Sequence, residues 1–425
     1  MQFKNNLSFA KAADRRDPLR KFRAEFLLPK KGNKKLIYFN GNSLGLQPKQ
    51  TKKFIDQELL DWSMQGVEGH FSARRPWLHY HKNFKKILAM LTGARTGEVV
   101  AMNQLTVNLH LMMVSFYRPL GKRNKILIEA GAFPSDRYAV ESQIRFHGLK
   151  PEDALITIEP RPGEQIIRTE DIVTLIHQHG EELSLVMLGA VQYYTGQFFD
   201  IRRITKATHA VGAIAGFDLA HAIGNVPLKL HTDGVDFAVW CSYKYLNSGP
   251  GGIAGVFVHQ RHGNNPDLPR FQGWWGHLES ERFLMKDEFI PMSGADGWQL
   301  SNFPVLAGAP QLAALDIFEC ASFEKIRNKS IQLTSYLEFL LQEIISVYPY
   351  FEIITPASSA ERGCQLSLSF RKNGKVIYKK LHQAGIITDW REPDVIRVAP
   401  VPLYNTFEEV YRFCSILKRS CAALK

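Results

Sequence analysis

Cysteine is scarce in this sequence and never closely spaced. Five residues, Cys241, Cys320, Cys364, Cys414 and Cys421, are odd in number and form no C-x-x-C pair, which argues against a disulfide framework and against a zinc cluster. Long apolar runs are also missing, since nothing approaches the roughly 20 residues that a membrane-spanning helix needs. The opening MQFKNNLSFAKAADRRDPLRKF carries charges where a secretory signal has its apolar segment, so a cytoplasmic protein with reduced thiols is expected. Internal repeats and low-complexity tracts are absent, which excludes solenoid and linker-rich architectures. Large blocks of one charge are lacking as well. The net charge is +12, yet basic residues are dispersed apart from a denser segment from Arg15 to Lys35. That pattern is weak support for a nucleic-acid arm and suits a cleft that gathers anionic small molecules. Neither a nucleic-acid partner nor a membrane is expected.

What is present is enough apolar material for two cores: 425 residues, 45% of them hydrophobic. From Gly93 onward the short apolar runs KILIEA, LSLVMLGA, AIAGFDLA, FAVWCSY and GGIAGVFVH alternate with segments of helical period such as TVNLHLMMVSFY and IRRITKATHAVG. Strands interleaved with helices imply crossover connections and a mostly parallel sheet. Before this region, Phe54, Ile55, Leu59 and Trp62 mark a helix over about Thr51 to Met64. Past Asn302, long helical periods lead to the short strands FEIITP, CQLSLSF and VIRVAPV and a closing helix near Thr406 to Lys418. The expected architecture is α/β. Residues 66–305 form a large domain around the parallel sheet, 306–425 a smaller α+β domain, and 1–65 an N-terminal segment packed with the smaller one.

Two of the apolar runs end in chemistry. Asp218 closes the run of GFDLAH, where a buried carboxylate needs donors or a cation; a helix cap and a counter-ion for a bound cation both answer that need. Lys244 lies 26 positions later, at the end of FAVWCSY and between Tyr243 and Tyr245. Strand ends of one parallel sheet open on one edge, where α/β folds bind ligands. An amine and a carboxylate on such an edge are what pyridoxal 5′-phosphate requires, one for covalent attachment and one to keep the ring nitrogen protonated. In NQLTVNLHLMM, Leu105 and Thr106 stand at a helix start, whose free N–H groups and hydroxyl make an anion seat or a plain cap. EAGAFPSDRYA then offers Phe133 as a stacking surface or a core residue, with Ser135 and Asp136 behind it.

The segments YFNGNSLG, FPSD, YTGQ, GFDLAH, WCSYKYLN, GGIAG, GWWGH and IRVAPVPLYN follow in this order from about Tyr38 to Val410. Together they resemble the kynureninase family of fold-type-I pyridoxal-phosphate enzymes. The resemblance implies an aspartate-aminotransferase-like fold and hydrolysis of the β,γ carbon–carbon bond of a kynurenine to alanine and an anthranilate. It implies that Lys244 carries the cofactor, Asp218 pairs with its ring nitrogen and Phe133 stacks on the ring. Leu105, Thr106 and Tyr243 then belong to the phosphate side, while Pro134, Ser135, Asp136 and His221 line the pocket; Tyr243 is also the implied acid–base partner of Lys244. Trp274 and Asn302 match contacts that arrive from a neighbouring subunit, so a homodimer with shared active sites is expected. Arg397 matches the arginine for the substrate carboxylate, a role that suits a planar bidentate fork. His70, Ser301 and Asn302 coincide with positions that are polar in members favouring 3-hydroxykynurenine. No metal is expected, because His221 has no second ligand pair near it. Gly189 stands where many members have a serine, so one hydroxyl contact to the cofactor is lost. Two other readings are a cysteine desulfurase or aminotransferase, for which Cys364 in RGCQLSLSF sits in a strand rather than a mobile loop, and a basic nucleic-acid-binding protein.

Overall fold

Seven apolar runs form one sheet in the computed structural model, which describes residues 2–424. They are β1 (Val99–Ala101), β2 (Lys125–Glu129), β3 (Leu155–Ile158), β4 (Leu183–Gly189), β5 (Ile214–Asp218), β6 (Phe237–Trp240) and β7 (Gly255–Val258). Their order is β1-β7-β6-β5-β4-β2-β3. Strands β3, β2, β4, β5 and β6 are parallel, and β7 runs antiparallel to both β6 and β1. Alternate side chains enter two separate cores. Leu127, Val186, Phe217, Ala238 and Phe257 fill one, while Ile126, Met187, Phe237, Val239 and Val256 fill the other. A sheet covered on both faces needs apolar residues at every position, which is why these strands read as unbroken runs. Glu129, Gly189, Asp218 and Trp240 all end their strands on one edge, and β7 starts there with Gly255 opposite Trp240.

A second, antiparallel sheet has the order β8-β9-β11-β10, from β8 (Phe351–Ile353), β9 (Leu366–Phe370), β10 (Asp389–Arg391) and β11 (Val395–Val398). Its core takes Leu333, Leu337 and Leu341 from helix Phe323–Ile345 and Val410, Phe413 and Leu417 from helix Phe407–Ala422. The N-terminal segment joins this core through Ala10, Ala13 and Phe39. Ile37–Tyr38 also pairs in parallel with Ile386–Ile387. Asp14 accepts the N–H groups of Phe407 and Glu408 at 2.7 and 3.0 Å, so one end of the chain caps the last helix. Helix Val305–Ala321 begins where the sequence pattern changes, yet its Leu312, Leu315 and Phe318 lie in the core of the large sheet.

Helix Thr51–Gln65 forms where the apolar period places it, with half-buried Phe54 packed against the core of the large sheet. Glu58 and Asp61 are buried, while Leu59, Leu60, Trp62 and Met64 are 43% to 77% exposed. Glu58 satisfies its burial with three donors: the Tyr80 hydroxyl at 3.0 Å, the Trp77 indole at 3.1 Å and Arg75 at 3.3 Å. Leu59, Leu60, Trp62 and Met64 are left facing outward. No helix among the described residues is long and apolar enough to cross a membrane.

The N-terminal segment is held by a buried ion pair, Lys329 Nζ to Asp17 at 2.7 Å, with side chains only 5% and 3% exposed. Removing one partner strands the other charge away from water, which typically costs about 3–5 kcal/mol. Asp17→Asn is expected to lower the unfolding free energy by about 3 kcal/mol, read from the shift of the urea midpoint, whereas a change within error means that water reaches Lys329.

Candidate active site

Past Trp240 the chain leaves the sheet, and Lys244 sits on the irregular connection to β7 rather than on the strand. That connection is fixed from several sides. The Gly45 N–H donates to the Tyr243 carbonyl at 2.8 Å and the Asn247 N–H to the Lys244 carbonyl at 3.1 Å, while Gln311 donates to the Ser242 hydroxyl at 3.0 Å. A Cβ on Gly45 would stand 2.3 Å from the Lys244 carbonyl oxygen, so the YFNGNSLG segment ends in glycine because the backbone of the lysine loop lies against it.

The edge where β2, β4, β5 and β6 end holds a cavity of about 150 Å³. Leu105, Thr106, Phe133, Ser135, Asp136, Asp218, His221, Tyr243 and Lys244 all line it. Two helices begin there. Leu105 and Thr106 open helix Leu105–Phe116, and Pro134, at the first position of helix Pro134–Phe146, is followed by Ser135 and Asp136. The Thr106 and Ser135 hydroxyls are bonded at 2.7 Å, tying the two N-termini together. Such ends present unpaired N–H groups and a favourable field to an anion.

Deeper in, the Lys244 amine is 2.9 Å from His221 Nε2 and 5.7 Å from the centre of the Phe133 ring. Asp218 accepts the Ala220 N–H at 2.7 Å and shares a hydrogen bond with Asp136. Burial raises the proton affinity of Asp218, opposed by the Lys244 charge and the Asp136 bond. Burial, then the Asp218 charge, pushes Asp136 well above the usual carboxylate range. His221 is held far below its ordinary value by burial and then by Lys244, so the ring is neutral. Burial also raises the Tyr243 phenol, which keeps its proton. The Asp136 Oδ1 and His221 Nδ1 atoms are buried without a partner, and groups of that kind call for a ligand.

Glu129, Val191, Tyr193 and Ala220 line the same cavity, as does Gly189; none of the first four was singled out by sequence reasoning. Glu129 carries the same signal as Asp218, an acid ending a buried strand, and Tyr193 lies in the QYYTGQ stretch. Arg397 is buried one ring behind. It donates to the Tyr193 carbonyl at 2.8 Å and pairs with Asp389, and its guanidinium is 5.9 Å from the Tyr193 ring, which meets Phe133 edge-on at 5.2 Å. Four residues are elsewhere. His70 and Asn302 line a separate groove with Glu58, Trp62, Trp77 and Leu306, Ser301 is exposed beside Asn302, and Trp274 is 43% exposed, donating to the Arg282 carbonyl at 3.0 Å.

Comparison with known proteins gives these residues a family. Residues 37–282 match the class-V aminotransferase model, and residues 326–417 match the kynureninase C-terminal domain. The chain is 53% identical to the kynureninase of Flavobacterium johnsoniae over 99% of both proteins, and 54% identical to that of Myxococcus xanthus over 98% of this chain and 97% of the relative. The chain belongs to the kynureninase family. Kynureninases are hydrolases of carbon–carbon bonds in ketonic substrates and use pyridoxal 5′-phosphate. Among solved structures, a C-DES variant with glycine linked to its pyridoxal-phosphate cofactor has a TM-score of 0.76 at 17% identity, covering 93% of this chain and 98% of that one. The cysteine desulfurase CsdA of Escherichia coli has a TM-score of 0.76 at 17% identity, covering 95% and 98%. These two likenesses establish the shared fold, a class-V, fold-type-I architecture. The cavity fits the kynureninase cofactor: paired helix N-termini suit a phosphate, and the Asp136–Asp218 pair with Lys244 suits a protonated ring and an amine-reactive carbon.

The acids of this cavity make stability depend on pH. Glu129, raised to about 7 by burial with a smaller push from Asp218, stays protonated in the folded chain after the unfolded chain has released its proton. Its favourable contribution is complete below its ordinary value near 4.5 and is lost as pH rises to about 7. That loss amounts to about 3 kcal/mol. Cofactor-free protein is expected to have a lower urea midpoint at pH 7.5 than at pH 5.5, and Glu129→Gln to flatten the decline; parallel slopes for the two proteins refute this account.

Proposed function

We propose that this kynureninase-family chain is a cytoplasmic, homodimeric hydrolase that cleaves the β,γ carbon–carbon bond of L-3-hydroxykynurenine in preference to L-kynurenine. The products are L-alanine and 3-hydroxyanthranilate, or anthranilate from the unsubstituted substrate. The observation that carries the reading is the convergence of Lys244, the Asp218–Asp136 pair and two helix N-termini in one cavity.

When bound, pyridoxal 5′-phosphate supplies a conjugated electron sink for negative charge on a substrate carbon. The protein's own residues do the rest. Lys244 would hold the cofactor through its amine and, when free, would move a proton at the substrate's α-carbon. His221, neutral and 2.9 Å from Lys244, fixes where the amine points. Asp218 holds the proton of the ring nitrogen, Asp136 steadies Asp218, and Phe133 offers a flat apolar face. Leu105, Thr106 and Ser135 seat the phosphate through N–H groups and hydroxyls. Half-buried Tyr243 keeps its proton, which suits a donor to the β-carbon that takes the electron pair of the broken bond, rather than a base. Arg397, held by Asp389 and the Tyr193 carbonyl, provides a pre-oriented fork for the substrate carboxylate.

His70, Ser301, Asn302 and Trp274 do not line the cavity of their own chain, which supports a second copy supplying them. The outward Leu59, Leu60, Trp62 and Met64 of helix Thr51–Gln65, and the exposed Trp274, Phe283, Leu284 and Met285, suit that contact. In such a dimer His70 and Asn302 would meet the phenol of 3-hydroxykynurenine. We read residues 66–305 as the cofactor domain and 306–425 as the domain that supplies Arg397. A desulfurase is disfavoured, since Cys364 is fully buried and its thiol is pushed up to about 12 by burial, away from the reactive thiolate that chemistry needs.

For kcat/KM, 3-hydroxykynurenine is expected to exceed kynurenine by at least about tenfold, and Asn302→Ala to shrink the ratio; a preference for kynurenine removes the substrate assignment and leaves the family intact. Lys244→Ala should abolish turnover and the absorbance of covalently attached cofactor. Mixing Lys244→Ala subunits with Asn302→Ala subunits tests the shared site, because only a mixed dimer rebuilds one complete cavity. Turnover of 3-hydroxykynurenine above that of the Asn302→Ala protein alone, up to about a quarter of wild type, is expected, and no gain argues for sites built within single chains.

A further inference from the structure

Glu129 ends β2 inside the cofactor cavity and has no part in the chemistry above. Its residue is 4% exposed, and both carboxylate oxygens face one donor, the Gly189 N–H, at 3.1 and 3.3 Å. A Cβ on Gly189 would lie 3.0 Å from Glu129 Oε1, so the glycine leaves room for the acid. Gly189 is in turn the register partner of Asp218. The acid therefore reaches across one strand end toward the carboxylate assigned to the ring nitrogen.

The charges around it do not balance. Glu129, Asp218 from β5 and Asp136 from helix Pro134–Phe146 are three buried acids in one cavity, facing a single cation, Lys244. His221 is neutral, and the groups acting on Glu129 are backbone N–H donors and the Asp218 anion, with no cation among them. An acid in that position keeps its proton. Binding of the cofactor changes the charge beside it more than its exposure, because Glu129 is already dry. A ring cation against Asp218 would offset the one charge that opposes ionisation of Glu129.

Resting on the cofactor reading above, we propose that Glu129 is a proton reserve of the active site. It holds a proton in the cofactor-free protein and releases it to solvent when the protonated ring settles against Asp218, so that two carboxylates retain the ring nitrogen's proton. One O–H bond breaks, the proton passes to buffer, and no electron is transferred. Glu129 is a positioning residue, acting through Asp218.

Calorimetric titration of cofactor-free protein with pyridoxal 5′-phosphate, near pH 7 in two buffers of different ionisation enthalpy, counts the protons released per cofactor bound. Wild type should release more protons than Glu129→Gln, by up to about half a proton, and equal counts overturn the proposal. If wild type does not bind the cofactor, the functional reading falls together with the reserve; if it binds and the counts agree, only the reserve falls. Infrared difference spectra of wild type with and without cofactor need no variant: the carbonyl band of a protonated carboxyl should diminish on binding, and an unchanged band overturns the proposal as firmly.

Discussion

One amine among buried acids is the constraint around which this molecule is built. Lys244 lies on an irregular loop, where backbone groups lack the ladder that would otherwise fix them. Its position is set instead by packing from three directions: Gly45 of the N-terminal segment against its carbonyl, Gln311 of helix Val305–Ala321 on Ser242, and His221 at its amine. Asp218 and Asp136 are tolerated away from water because they share a hydrogen bond and have the lysine charge close by. An isolated carboxylate in the same place would carry a desolvation cost that nothing offsets.

The second sheet is joined to this centre by polar links rather than by a continuous apolar core. Asn42 donates to Gln365 at 2.8 Å, Gln365 to the Tyr193 carbonyl at 3.0 Å, and Arg397 to that same carbonyl at 2.8 Å. Tyr193 thus meets the cofactor side through its ring and the arginine side through its backbone. An edge-on contact of the Tyr193 ring with Phe133 links the arginine side to the cavity. Directional bonds of this kind fix register between layers more sharply than apolar packing does.

Much of this was legible in the sequence because its signals are local. Apolar runs that end in Asp218 or lead to Lys244 reported buried strands with chemistry at one edge, and the alternation of strands with helices reported the parallel sheet. Glu129 carried the same signal as Asp218, but the run KILIE was read only as a strand, and nothing nearby in sequence announces that Gly189 gives the acid its space. The placement of Lys244 beyond the strand was not legible either, since it depends on Gly45, about two hundred residues away. Periodicity located helix Thr51–Gln65 but does not announce the burial of Glu58, because the three donors that satisfy it come from Arg75, Trp77 and Tyr80, outside the helix.

That helix bears on how specificity and catalysis are divided. A buried glutamate with three donors is a costly way to anchor a helix unless the opposite face has another use. Here that face carries Leu59, Leu60, Trp62 and Met64, and Trp62 lines the groove that holds His70 and Asn302. The residues proposed to select the substrate therefore lie on a different surface of the chain from the cavity proposed for the cofactor. If two chains must meet to bring those surfaces together, substrate selection depends on assembly, while the amine and its acids are already in place in each subunit.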